Sequence, residues 1–585
     1  MGVSHLYTTL RPFTYLDILD GDVVTIDGPA LAYHVLHVCR ANGVNLPSYC
    51  LLGRVVTSWL DQLVLHGISI RCIYFDGYLP ESKLEVRIGR MKRLATQLSN
   101  VYGSTIQGCP ASYLVQDGKE PDFDFFKVDA QGPRKLIDPC FLVPAILDAL
   151  REHKSYKNIT QLVPGEADHF CAGDVCERGG TILTSDSDLL VHNLKHGRVA
   201  FFRDLGEDHM SRITFTNFKP ERIFETIGLR YPEKALQLAY ERQLSPHASL
   251  SQIVSKASRP LLQSAAFLSF QEQFASSEIS NLLERGGCKL PSLNSSDPRI
   301  SEMVIAFYLL RQRGSAHSPI RMFLPPLMEC PVLKSAWDPS TPIRQLAYSF
   351  ASYFTTSRDD VSVHEFRRVQ TLSYSGREVR PVSFSLAKRR VGDMMSYMQE
   401  MKGFYDYSDH RFWIALGMAL EISESQRQDR TSVVPTIYER FQSPGTAKPG
   451  THVAWADVHI FAQVQGILYS FRILQQVLAS FGHQHLKHEL IDVDEIRGLL
   501  SQLTPLAQFP SVHDTFGTMQ ELCQSEILRS LVDSIATNRA GDALNNGVVS
   551  HIENEALDEN PSVDCVASDR RALYKNNTFS SLWIE

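Results

Sequence analysis

An α/β fold with a mostly parallel central sheet, followed by a large mainly α-helical region, is predicted by three observations. Short apolar runs alternate with amphipathic segments over roughly the first 210 residues. Four of those runs end in, or are closely followed by, acidic residues. From about residue 217 onward the apolar positions recur at helical spacing, broken by Pro and Gly near 291–298, 318–331 and 442–450. Strands alternating with helices imply βαβ units.

Each element has its own signal. Residues 22–27 (DVVTID) form an apolar run ending in Asp27, and 29–40 carry apolar positions at helical spacing. Residues 69–76 (SIRCIYFD) form a second run ending in Asp76, and a charged helical segment covers about 81–102. The stretch 104–138 is irregular, with Gly, Pro and acidic clusters that include Asp122, Asp124 and Asp129. A helix is expected at 140–153, a strand at 159–163 (ITQLV), a helix at 166–178, a strand at 180–184 (GTILT) and a strand at 198–203. The domain reading is then a core over 1–210 with an insertion about 78–138, and a helical region over 211–422. A polar linker over 423–453, a second helical region over 454–536 and a mostly disordered tail over 537–585 complete it. In that second region Ile460, Val464, Ile467, Leu468, Phe471, Leu474, Leu478 and Phe481 share one helix face. Such a face packs on the body of the protein or receives a protein partner.

Composition narrows the function. The chain has 585 residues, 43% of them hydrophobic and 21% charged, which excludes a collagen-like, coiled-coil or wholly disordered chain. The formal net charge of −7 excludes a basic coat, so nucleic-acid contact must come from a local patch. Eleven cysteines without a C-x-x-C pair argue against a zinc ribbon and a disulfide framework. No secretory signal is expected, and no apolar run approaches ~18 residues, so a soluble intracellular protein, nuclear or cytoplasmic, is expected. A Walker loop, GxGxxG and G-x-S-x-G are all absent, which disfavours an NTPase, a dinucleotide enzyme and a serine hydrolase.

The acids carry the chemistry. Asp27 lies in TIDGPALAY, Asp76 in YFDGYLPESK, Glu166 and Asp168 in VPGEADHF, and Asp186 and Asp188 in LTSDSDLLV. Parallel strands put their carboxyl ends on one edge of the sheet, where ligands bind. Six carboxylates there cannot all stay ionised without counter-charge. Oxygen ligands favour Mg²⁺ or Mn²⁺, and two such ions about 4 Å apart can clamp a phosphodiester in line. Any one of these acids taken alone can equally be a helix N-cap or a solvated turn. Beyond Asp76, residues 81–93 hold Lys83, Arg87, Arg90, Lys92 and Arg93 against Glu81 and Glu85. Lys83 and Arg90 are two helical turns apart and so share a face.

These motifs, with the Met1-Gly2-Val3 start, FDG at 75–77, PGEAD at 164–168 and TSDSDLL at 184–190, resemble the flap endonuclease/XPG superfamily of structure-specific 5′ nucleases over about residues 1–205. Within it the chain is most similar to the asteroid domain-containing group, which carries a long helical C-terminal half. The resemblance implies a PIN-like 5′-nuclease core with Asp27, Asp76, Glu166, Asp168, Asp186 and Asp188 as ligands of two Mg²⁺ or Mn²⁺ ions. Lys83 and Arg90 would lean over the scissile phosphate, and Lys83, Arg87, Arg90, Lys92 and Arg93 would bind DNA or RNA. The segment 104–138 sits where the family has its arch. The family's further acid, in a Gly-x-Asp-Tyr stretch, has no counterpart after residue 205, and Asp208 and Glu221 do not replace it. The alternative is an inactive nuclease-like scaffold that binds nucleic acid or protein partners. Among other signals, Cys171 and Cys176 are expected to be core residues, and so are Tyr33 and His34, with stacking on a base or contact with phosphate by one of that pair as the alternative. His483, His485 and His488 with Glu489 are expected to lie on a solvated helix.

Overall fold

In the computed structural model, five strands form one sheet: β1 (Val23–Asp27), β2 (Ser69–Asp76), β3 (Thr160–Val163), β4 (Thr181–Thr184) and β5 (Arg198–Phe201). The structure describes residues 3, 5–114, 121–127, 137–260, 264–274, 293, 295–313, 319–355, 361–371, 374–442, 451–481 and 491–524. The spatial order is β3-β2-β1-β4-β5, and every neighbouring pair is parallel. The chain steps outward from β1 to β3, then returns to lay β4 beside β1. The order therefore reverses between β1 and β4, and the crevice at their carboxyl ends is the ligand-binding position of such sheets.

Alternation along the strands explains the layering. Ile73 and Phe75 of β2 point into one apolar cluster, and Cys72 and Tyr74 point into another. The first cluster is closed by α1 (Gly28–Ala41), α2 (Tyr49–Leu65) and α4 (Leu142–Glu152); the second by α5 (Ala167–Arg178). A parallel sheet buried on both faces needs such apolar runs. Two glycines are needed for close approach. A Cβ at Gly28 would meet the Phe75 ring at 2.6 Å, and one at Gly77 would meet the Val163 carbonyl oxygen at 2.2 Å. The charged helix α3 (Leu84–Ser104) follows β2.

The second half is mainly helical, with a small sheet that the apolar spacing does not announce: β6 (Ile320–Phe323), β7 (Val363–Phe366) and β8 (Arg377–Val379). Helix α6 (Pro298–Arg313) precedes it. Helix α7 (Trp455–Ser480) is buried nearly all round, so its apolar face packs on the body of the protein. One apolar cluster joins α7 to Leu98, Val101, Phe141 and Ala145 of the first half. Arg472 bonds both Asp148 and Asp297, and Arg151 donates to the Ser296 carbonyl. The described residues belong to one unit spanning Met1–Ile535. The division at residue 210 is thus one of pattern, crossed by packing.

Two expectations are corrected. The stretch 423–453 is not a plain linker: one helix continues to Arg427, and another runs Val434–Gln442 with Val434, Ile437 and Phe441 buried. Pro435 falls in the first turn of that helix, where a missing N–H costs nothing. The chain after α3 is also no free arch over its described residues. Cys109–Pro110 pairs with His452–Val453, and Trp455 donates its indole N–H to the Thr105 carbonyl at 2.7 Å. Phe123, Phe125 and Phe126 pack on the core, while Asp122 and Asp124 are exposed. Asp129, the histidines 483, 485 and 488, and the tail 537–585 lie outside the described residues. Among the described residues no helix is long and apolar enough to cross a membrane.

Candidate active site

The strand ends deliver the acids as the spacing predicts. Asp27 closes β1 and caps α1: one carboxylate oxygen accepts the Ala30 N–H at 3.2 Å, the other the Thr184 hydroxyl at 2.6 Å. Asp76 closes β2 and accepts the Ala167 N–H, at the start of α5, at 2.7 Å. Glu166 and Asp168 flank that same helix start. Asp186 follows β4 and accepts the Asp188 N–H at 3.0 Å; Asp188 in turn accepts the Val3 N–H at 2.6 Å. Helix N-termini thus face the cluster, and their partial positive charge favours carboxylates.

Electrostatics tie the six together. Burial first, then repulsion from Asp76 and Asp186, raises Asp27 to about 7. Burial raises Glu166 to about 7 and Asp188 to about 6, with Asp76 and Asp186 among the repelling neighbours. Asp168 stands well above the usual carboxylate range, through burial and through Asp27, Asp186, Asp76 and Glu166. Burial also raises Asp76. Lys83 lies 3.5 Å from Glu166. Burial acts to lower its pKa, but Glu166, Asp188, Asp168 and Asp186 outweigh that and raise it.

The carboxylates are turned toward their own backbone and hydroxyl donors. Among the described residues no three acidic, imidazole or thiol groups stand close enough to enclose an ion as they are. The donor set itself is all oxygen, strongly negative and short of cations, which fits a hard divalent ion.

The basic residues divide. Arg90 and Arg93 are exposed on α3, and Lys92 is half-buried. Arg87 is engaged within the protein. Its guanidinium pairs with Glu302 through two hydrogen bonds, one of 2.7 Å, and stacks on Phe323 at 3.7 Å, so it is committed to the protein. Tyr33 is a correction: its side chain is exposed rather than core, although burial of its hydroxyl end and then the charge of Asp138 raise its pKa against Arg299 and Arg90. His34 is core, stacked on Phe202 at 4.6 Å and lowered to about 3 by burial. Cys171 is buried as expected, and Cys176 half-buried. Asp208 pairs with Arg212 and Glu221 with His196.

Residues the motif reading passed over also line the site. Thr184 bridges Asp27 and the Asp186 N–H, and its place in LTSDSD was the available signal. His169 lies 3.7 Å from Glu166, with its ring edge-on to His192 at 5.0 Å. Burial lowers His169 to about 4, so it is neutral there.

Residues 138–380 match the family model described as XPG domain containing. This stretch, less than half of the chain, is similar to an XPG domain. The matched stretch takes in Glu166, Asp168, Asp186 and Asp188, while Asp27, Asp76 and Lys83 precede it. It runs beyond residue 205, the end of the resemblance read from the motifs, through α6 and the small sheet. Among solved structures the chain is similar to the catalytic core of Rad2 in complex with DNA substrate, in two forms. The first has a TM-score of 0.28 and 15% identity over 50% of this chain and 82% of that one; the second, 0.27 and 16% over 50% and 84%. Likeness of that order says nothing about activity. No curated protein matches the chain.

Proposed function

We propose that the chain is a divalent-metal-dependent nuclease that hydrolyses phosphodiester bonds of structured DNA or RNA. The observation that carries this reading is the group of six carboxylates at the sheet's switch point, faced by one lysine and lying partly in the stretch similar to an XPG domain. Asp27, Asp76, Glu166, Asp168, Asp186 and Asp188 would hold Mg²⁺ or Mn²⁺. Two such ions, when bound, supply Lewis acidity to the attacking and the leaving oxygen.

The chain's own residues do the rest. Thr184 and the Ala30 and Ala167 N–H groups orient Asp27 and Asp76. Lys83 trades part of its contact with Glu166 for the substrate phosphate, where its charge steadies the transferring group. Arg90, exposed on the same helix face, meets the neighbouring phosphate, and Tyr33 offers an aromatic surface to a base.

The second reading is a scaffold that binds nucleic acid without cutting it. The separated carboxylates and the missing Gly-x-Asp-Tyr acid favour it. Cleavage decides between them. Wild type and Asp186→Asn are incubated with labelled flap, hairpin, single-stranded and duplex DNA and RNA, with Mg²⁺ or Mn²⁺. Nuclease action predicts cleavage by wild type and a loss of at least about 100-fold in the variant, with the fold intact. Full activity in Asp186→Asn contradicts a catalytic role for the cluster.

A further inference from the structure

Arg87 lies four residues after Lys83 and three before Arg90, on the helix face that carries both. It is held by the second half of the chain. Both oxygens of Glu302, on α6, accept from its guanidinium, and the ring of Phe323, on β6, lies beneath it at 3.7 Å. The side chains of this ion pair are only 12% and 11% exposed, so solvent screens it little. Around it the contacts continue. Ser301, next to Glu302, donates to the Gly77 carbonyl at 2.8 Å, just beyond Asp76. Arg321 pairs with Glu81, one turn before α3 begins. Ile88 and Met91 of α3 pack with Phe323, Phe366 and Val369. Arg299 is tied to the Phe323 carbonyl at 2.6 Å, which fixes the strand under the guanidinium.

A helix held at one residue by a planar two-point bond is fixed in rotation as well as position. Lys83 immediately precedes this helix, 3.5 Å from Glu166, and a long flexible side chain places its ammonium only as well as its backbone is placed. We propose that Glu302 is a positioning residue: acting through Arg87, it sets the basic helix so that Lys83 and Arg90 face the acidic cluster. The helical half of the chain thereby has a part in the chemistry, as the fixed support of the phosphate-facing helix. This role rests on the nuclease reading above and extends it to a residue that touches neither metal nor substrate.

The test uses the full-length protein and two readouts. The first is steady-state cleavage of a labelled substrate with Mg²⁺ by wild type, Glu302→Gln, Arg87→Met and the double variant. Misplacement of about 1 Å can cost roughly 100-fold in rate. Glu302→Gln is therefore expected to lower kcat about 10- to 100-fold with KM within about threefold. The double variant should be no worse than the worse single change, because both act through one contact. The second readout is amide hydrogen exchange, expected to quicken over 84–93 in Glu302→Gln and to stay as in wild type over 181–191. An unchanged kcat, or additive losses in the double variant, overturns the proposal. So does exchange that quickens equally everywhere, which is general destabilisation. If Glu302→Gln does not fold, Arg87→Met with Glu302→Met removes both charges together and takes its place in both arms. If wild type cuts nothing, the nuclease reading fails by that result. The exchange arm then decides by itself whether Glu302 holds the helix.

Discussion

Asp27 is the residue on which most of the site turns. It ends β1, caps α1 and receives the Thr184 hydroxyl, yet burial and two carboxylate neighbours raise it to about 7. A carboxyl whose pKa is higher folded than unfolded favours folding while both states are protonated, and that advantage fades as pH rises through the folded value. Asparagine keeps the cap through its amide oxygen and donates its amide N–H to the Thr184 oxygen instead of accepting from it, but never ionises. In metal-free solution Asp27→Asn should therefore melt above wild type, the gap widening from pH 4 to 7.5 and reaching roughly 1–3 kcal/mol. Histidines lowered by burial, such as His34 and His169, are common to both proteins and cancel in the comparison. A gap that is absent, or narrows with pH, would show that Asp27 is not held against its charge. The six acids were legible because each stands at or just past a strand end. Arg87 was not: its partner Glu302 lies 215 residues away, and no local pattern marks a basic residue as already taken. Tyr33 sits beside the buried His34 on an apolar helix, and only the sheet's position shows which of the two faces outward.

At the scale of elements, the parallel sheet was readable because strands buried on both faces are apolar throughout. The run 69–76 coincides with β2, and 22–27, 159–163 and 180–184 each start one residue before the observed strand. The small sheet β6–β8 escaped, since runs of three or four residues within helical sequence have no period to detect. Its pairing is explained only by tertiary context. Glu365 on β7 is buried between Arg344 and Arg367, which hold it well below the usual carboxylate range despite burial, and Tyr348 donates to it at 2.6 Å. The helix Val434–Gln442 was hidden by proline content, because a breaker inside a helix and a starter in its first turn are the same residue. The same ambiguity does not arise at Gly77, where the Val163 carbonyl leaves no room for any side chain.

For the whole molecule, the division into an α/β front and a helical back is a division of sequence pattern only. Leu98, Val101, Phe141 and Ala145 bury themselves among residues of the helical half, and Asp148 pairs with Arg472. A fragment of residues 1–210 would expose that apolar surface and leave Asp148 without its cation. It should be insoluble or lack a cooperative melt; a soluble fragment that unfolds cooperatively would show that the front half is self-sufficient. The same packing explains how distant helices come to support a site at the far edge of the sheet, through α6 and the Arg87–Glu302 pair.

The central claim is that six carboxylates, among them Asp27 and Glu166 raised to about 7 by burial first and then by carboxylate neighbours, form a site for divalent ions. Calorimetric titration of the metal-free protein with Mn²⁺ at pH 7, repeated in buffers of different ionisation heat, addresses it directly. The account predicts saturable binding with release of protons, because Asp27 and Glu166 near 7 must ionise to serve as ligands, and loss of that binding in Asp186→Asn. No saturable heat up to millimolar Mn²⁺, or binding that is the same in the variant and releases no proton, would contradict it.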